Sequence, residues 1–289
     1  MRFRTFGLLS AVVLTLSVVV SAQKATRTIF IRATDSTGAP AAGLTAADFA
    51  VKEGDQTKQI TYAGPASGPM RVVLLVDTGE NANPFQAQLR EALGAFVDTI
   101  PAPAEIGIVS MGRRMQVRLA PTADRAKLKD AANHISVDGG GIAFWDSMRE
   151  VESRFMKKDG VRWPMYVMFV TDGNEASANI QPEDVQKMAN DMFARATSFH
   201  ALMVEKVGPT PVTSIVATFV KNTGGDLQDV KVPQTLPGKA KDMAQRIAEQ
   251  IKAADGLYQI EYVGDASYRG NIDAGVVKAG VRGAIVRSR

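Results

Sequence analysis

Two short runs constrain this chain more than any other feature. Residues 72–76 (Val-Val-Leu-Leu-Val) and 166–170 (Tyr-Val-Met-Phe-Val) are wholly apolar and rich in β-branched and aromatic side chains, and each stops at a turn bearing an aspartate, Asp77 and Asp172. A strand with one solvated face alternates apolar and polar residues. One that is apolar throughout must be covered on both faces, as a central strand of a parallel sheet is. The stretches between these runs carry the helices such a sheet needs. Pro84 opens a helical pattern with Phe85, Leu89, Leu93, Phe96 and Val97, which Pro101 and Pro103 stop. Residues 106–110 and 115–119 read as strands turning at Gly112, and helices are expected near 124–134 and 144–156. A helix from Pro182 to about residue 196, a strand over 198–204 and a helix over 212–222 ended by Gly224-Gly225 complete the alternation. The expected fold class is α/β, with a doubly wound, mostly parallel sheet.

Both ends of the chain return to β periodicity. Residues 28–34, 49–52 and 58–62 read as short strands separated by the turn residues Asp35 to Pro40 and Gly54-Asp55. After a helix over about 239–254, strands are expected at 257–263, 271–278 and 282–286, so that small β segments flank the sheet domain at each end. We divide the chain into residues 1–22, a β module at 23–66, the α/β domain at 67–232 and a closing helix and β segment at 233–289. The closing segment is expected to pack on the α/β domain or on the first module.

Arg2 and Arg4 precede an apolar run from Phe6 to Val20 and the small-residue triplet Val20-Ser21-Ala22. This is the layout of a secretory signal peptide, and the run falls short of the roughly twenty residues that span a bilayer as a helix. Export to the periplasm or the extracellular space is therefore expected, with cleavage after Ala22; an uncleaved N-terminal anchor would export the rest equally. No second transmembrane run follows. The chain has no cysteine, which excludes disulfides, thiol nucleophiles and thiolate metal sites. Its net charge of +4 includes Arg2 and Arg4. The cluster Arg113, Arg114 and Arg118 has no interleaved aromatics, so it reads as a solvated loop and strand edge, and nucleic acid is not an expected partner.

Ligands of open α/β sheets bind beyond the carboxyl ends of the strands. That rim carries Asp77 and Asp172, and the loop Gly139-Gly140-Gly141 should reach it from between them. Here the chain resembles the von Willebrand factor type A domain. Residues 72–78, ending in Val76-Asp77-Thr78, match its first motif. Gly139 through Trp145-Asp146 match its threonine-bearing loop, and Phe169-Val170-Thr171-Asp172-Gly173 match its last motif. The segment around Asp35 to Pro40 and Gly43 to Phe49 resembles the module that precedes this domain in exported bacterial relatives, and residues 258–262 with the closing strands resemble their usual ending.

The resemblance implies a divalent cation held by an aspartate, two serines, a threonine and a second aspartate. At those positions this chain has Asp77, Gly79, Asn81, Ile142 and Asp172, so three hydroxyl ligands are missing. Asp77, Asn81 and Asp172 remain as weak metal candidates, too few for a dedicated magnesium or calcium site. No cofactor is expected. Asp77, Glu80, Asn81, Asp172 and Glu175 are the candidate partner-binding rim, with Asp77 alternatively capping its own loop.

Three functions compete on these residues. The first is a non-catalytic, metal-independent module that binds another protein outside the cytoplasm. The second is magnesium- or calcium-dependent adhesion through the same rim. The third is a hydrolase using Asp77 and Asp172 as acid and base. No catalytic residue is assigned, because His134 sits near a helix end, His200 lies in an apolar strand where a core role is expected, and no serine occupies a nucleophile-elbow pattern. Trp145, Trp163 and the methionines at 148, 156, 165, 168, 188 and 192 read as core packing.

Overall fold

A computed structural model describes residues 24–66, 70–102, 104–158, 161–171, 174–204, 208–252 and 256–286. The expected signal peptide at residues 1–22 lies outside them. In chain order the elements are β1 (Lys24–Thr34), β2 (Phe49–Glu53), β3 (Gln56–Thr57), β4 (Gln59–Pro65), β5 (Met70–Asp77), α1 (Gln86–Thr99), β6 (Glu105–Met111), β7 (Met115–Thr122), α2 (Arg125–Asn133) and α3 (Phe144–Val151). There follow β8 (Arg162–Val170), α4 (Pro182–Ala194), β9 (Ser198–Val204), α5 (Pro211–Thr223), β10 (Leu227–Val230), α6 (Leu236–Lys252), β11 (Leu257–Asp265), β12 (Ile272–Val276) and β13 (Arg282–Ile285).

The central sheet has the order β10-β9-β8-β5-β6-β7, parallel throughout except for the antiparallel edge strand β7. The two apolar runs are its adjacent middle strands β5 and β8. Because successive side chains point to opposite faces, Val72, Leu74 and Val76 enter one core while Val73 and Leu75 enter the other. The first core is closed by Leu89, Leu93 and Phe96 of α1, Leu128 of α2 and Met243 and Ile247 of α6. Phe144 and Met148 of α3, Met192 of α4 and Val216 and Phe219 of α5 close the second. Helices on both faces make the sheet doubly wound, as expected. Helix α5 begins where Thr210 accepts from the Thr213 N–H with Pro211 in the first turn, and ends at Gly224 in the left-handed region, φ 69°.

The head and tail strands share sheets. One has the order β13-β1-β11-β4 and the other β12-β2-β3, so in each of them strands from the two ends of the chain lie side by side. Strand β1 pairs with β11 from Lys24↔Asp265 to Arg32↔Leu257. Ile29, Ile31, Phe49, Val51, Tyr258, Ile260 and Tyr262 form their common core. A buried ion pair also joins the two ends: Arg27 Nη1 lies 2.7 Å from Glu53 Oε1, and the Asp265 N–H donates to Glu53 Oε2 at 3.0 Å. Arg27 sits over the Phe193 ring of α4 at 4.9 Å, and Phe30 stacks on Trp163 at 5.4 Å, which ties this β module to the sheet domain. Helix α6, grouped by sequence with the tail, packs on α1 and belongs to the first core of the sheet domain.

Three details differ from the sequence reading. Strand β10 was not expected, since Leu-Gln-Asp-Val is too short and too polar to stand out. The two-residue strand β3 adds a hairpin partner to β2. The helix expected over 144–156 is α-helical only to Val151 and continues as a π-helical turn at Glu152–Met156, where buried Glu152 accepts from Tyr166 Oη at 2.6 Å and Arg195 Nη2 at 2.5 Å. No helix among the described residues is long and apolar enough to cross a membrane.

Candidate functional site

Strands β5, β6 and β8 run parallel, so their carboxyl ends and following loops meet at one rim. Asp77, the last residue of β5, is 1% exposed there. Its Oδ1 accepts the Gly79 N–H at 2.8 Å, while Oδ2 accepts both the Thr171 N–H at 2.9 Å and the Thr171 hydroxyl at 2.6 Å. A buried carboxylate must be satisfied in this way, and two bonds occupy both lone pairs of Oδ2. The aspartate that ends the first strand therefore holds the loop after β5 against the loop after β8.

The glycine loop reaches the same place. The Glu80 N–H donates to the Gly140 carbonyl at 2.8 Å. Ile142 is 2% exposed and pinned on both sides, its N–H donating to Asn174 at 2.8 Å and its carbonyl accepting from Ala176 at 2.7 Å. A Cβ placed on Gly79 would meet the Gly140 carbonyl oxygen at 2.9 Å, Ile142 Cγ2 at 3.0 Å and Asp77 Oδ1 at 3.2 Å. Position 79 thus has no room for the serine that the resemblance calls for. Where a threonine oxygen would be wanted, position 142 supplies an isoleucine methyl. Neither Gly79 nor Ile142 therefore supplies an oxygen to a divalent cation, which needs several converging at short distance. Among the described residues no three His, Asp or Glu side chains gather in a way that could hold a metal ion. Asp172, the second aspartate, lies outside the described residues.

Glu175 is engaged by backbone. Its Oε1 accepts the Phe144 N–H at 3.1 Å and the Ser177 N–H at 2.8 Å, and its Oε2 accepts the Trp145 N–H at 3.2 Å. This places a carboxylate on the first turn of α3, where free N–H groups and the helix dipole favour negative charge. Of the candidate rim residues, Glu80 and Asn81 are exposed, Glu175 is half-buried and Asp77 is buried. Spacing alone did not disclose the network next to them. Arg118 Nη2 donates to Asp138 Oδ1 and Oδ2 at 2.7 and 2.8 Å, its Nε donates to Ser110 Oγ at 2.8 Å, and Thr78 Oγ1 donates to Asp138 Oδ2 at 2.7 Å. Arg118 is therefore a rim brace rather than part of a solvated edge, whereas Arg113 and Arg114 at the β6–β7 turn are exposed. A groove of about 600 Å³ opens beside Glu175 and Ser177, between α4 and α5.

Neither histidine takes part in this geometry. His200 Nδ1 accepts the Asp226 N–H at 3.2 Å, and burial lowers its pKa to about 4, so it is a neutral core residue on β9. His134 is exposed at the end of α2, its Nδ1 2.8 Å from the Asp130 carbonyl oxygen. Trp145 is 3% exposed and Trp163 is 8% exposed, both packed as expected.

A family model of the von Willebrand factor type A domain matches residues 72–175. Among solved structures, a von Willebrand factor type A protein from Catenulispora acidiphila aligns with a TM-score of 0.53 at 13% identity, over 90% of this chain and 72% of that one. The conserved hypothetical protein BatB from Bacteroides thetaiotaomicron aligns with a TM-score of 0.50 at 13% identity, over 63% of this chain and 99% of that one. Proximal thread matrix protein 1 from the mussel byssus has the same TM-score and identity, with 62% and 48% covered. At such identities the likeness is one of fold. No curated protein sequence matches the chain. Sheet order, rim position and family match agree: this chain carries a von Willebrand factor type A domain, its family match spanning residues 72–175.

Proposed function

We propose that this protein is an exported, non-catalytic module that binds another protein outside the cytoplasm, through the rim of its type A domain and without a metal ion. Domains of this type usually mediate protein–protein interaction or adhesion, and that supports the binding role. Metal independence is carried by the closed geometry at Asp77, whose carboxylate is buried under bonds from Gly79 and Thr171. The exposed side chains Glu80 and Asn81, the β6–β7 turn and the loop at Asn174 are the surface offered to the partner. Export rests on the sequence of residues 1–22, with its two arginines, apolar run and Val-Ser-Ala flank. The absence of a hydrolase is supported by the roles of the two histidines and by the engagement of Asp77, which leaves that carboxylate poorly placed to exchange a proton with substrate.

Capture of a partner from an envelope fraction tests this reading, run with and without chelator and with Asp172→Ala alongside Glu80→Ala. Capture that survives chelation and falls with Glu80→Ala supports it. Capture abolished by chelator and restored by magnesium would replace it with cation-dependent adhesion.

A further inference from the structure

A second cavity, of about 300 Å³, lies where the β module meets the α4–α5 side of the type A domain. One part of its wall is apolar. Phe30 and Trp163 stack there, and half-buried Phe193 and Val286 leave hydrocarbon facing the opening. Arg27, Lys221 and Arg269 also line it, and no carboxylate does among the described residues. Arg27 pairs with Glu53, but Glu53 also faces Lys58 at 3.2 Å, so one acid meets two cations. Arg269 Nη1 donates to the Ala266 and Tyr268 carbonyls at 3.0 and 2.8 Å, and no carboxylate among the described residues pairs with it. Burial and the nearby Arg27 charge hold the Arg269 pKa below its ordinary value, and Asp265 offsets only part of this. Of the cations that line the cavity, Arg27 and Arg269 thus repel each other with only partial compensation. The cavity also collects unusual backbone: Trp163 at φ 49° and Ala196 at φ 52° both line it, two of the three non-glycine residues with positive φ among those described. Such conformations persist only where the surroundings enforce them, and they cluster at ligand clamps.

We infer that this cleft binds a small organic anion with an apolar body, of the class of medium-chain monocarboxylates. The hydrocarbon lies against Trp163, Phe193 and Val286, and the carboxylate sits on Arg269 with Lys221 beside it. A neutral apolar guest would shield Arg269 from water without giving it a counter-charge, and a purely polar anion would leave the aromatic wall uncovered. The volume is at the small end of ligand sites and suits roughly ten non-hydrogen atoms. The inference is independent of the rim.

Calorimetric titration with octanoate, compared with the neutral isostere 1-octanol, tests it on the full chain. Expected is saturable one-to-one binding of octanoate, stronger than octanol by about tenfold, the effect of one charge-assisted contact. Arg269→Gln should remove most of that difference, Lys221→Gln a part of it and Glu80→Ala none. Arg269 and Lys221 are exposed, so both variants should keep the fold, and circular dichroism checks this. Equal affinity for octanoate and octanol, an Arg269→Gln variant that binds like the parent, or no saturable binding at low millimolar octanoate would each overturn the inference.

Discussion

Replacing Gly79 with serine restores a side chain that the family's metal site uses, and the geometry says that the rim will resist it. The backbone at Gly79 has φ −66° and ψ 172°, an extended conformation open to any residue. Loss of glycine should therefore help slightly by restricting the unfolded chain, worth about 0.4–1 kcal/mol. Against this, the new Cβ would fall 2.9 Å from the Gly140 carbonyl oxygen and 3.0 Å from Ile142 Cγ2. The first neighbour is backbone that also accepts the Glu80 N–H, and the second is a buried side chain held by bonds on both sides of its peptide, so neither moves freely. Overpacking of this kind costs about 1–3 kcal/mol, so mid-range values of about 2 and about 0.7 kcal/mol leave a net loss of about 1.3 kcal/mol. For a chain of this size that is a fall in Tm of roughly 3–5 °C. Thermal and urea unfolding followed by circular dichroism measure it. Gly79→Ala should lose about as much, because the close contacts are made by the Cβ itself. If Gly79→Ser is as stable as the parent, or gains magnesium-dependent stability on its own, the rim has room that this reasoning denies.

Other consequences follow from the same contacts. Glu175→Ala removes three acceptor bonds from the N–H groups of Phe144, Trp145 and Ser177 and should cost about 1–3 kcal/mol in urea unfolding, against a few tenths for a residue that only faced a partner. His200, with a folded pKa of about 4 against an ordinary 6.5, stays neutral in the native chain while the unfolded chain takes up a proton. Its contribution is therefore complete above pH 6.5 and is lost as pH falls from 6.5 towards 4, by about 3 kcal/mol in total, a slope that His200→Gln should flatten. NMR titration of the two histidines checks the value, and a His200 signal that titrates near pH 6.5 would contradict it. Burial raises the pKa of Glu53, but the Asp265 N–H, Lys58 and Arg27 outweigh this and hold it below the usual value. Its stabilisation is thus present at neutral pH and lost as pH falls through that lowered value. Glu53→Ala, which strands Arg27 in the interior, should cost about 3–5 kcal/mol. Unfolding of Glu53→Ala at the parent's urea midpoint would refute that.

Features governed by neighbours in sequence were legible. The two apolar strands need no partner to reveal that both of their faces are covered. The start of α4 follows from Pro182 and the end of α5 from Gly224, whose effects act within one helical turn. Partner choice across long separations was not legible. Nothing in residues 24–34 marks them as the strand between β11 and β13, because an alternating strand accepts any edge of suitable register. At the site, the missing oxygens at Gly79 and Ile142 could be read directly. The engagement of Asp77 by Thr171, 94 positions away, and of Glu175 by the start of α3, about 30 positions away, could not. The cap that Asp77 makes on its own loop was open to sequence reading, but the bonds by which both carboxylates support neighbouring loops of the rim were not. The Arg118–Asp138 brace escaped notice for the same reason: an arginine in a short strand and an aspartate before a glycine run show no relation until the sheet brings them together.

The central claim is that this rim works without a cation, and direct titration tests it most plainly. Magnesium, manganese and calcium are titrated into the full chain by calorimetry, with Tm followed at the same concentrations. A closed Asp77 site predicts no saturable heat and no rise in Tm at millimolar ion. One-site binding whose Tm rise grows with ion concentration, reaching about 2.7 kcal/mol of added stability at a hundredfold excess over Kd, and which disappears in Asp172→Ala, would contradict the account.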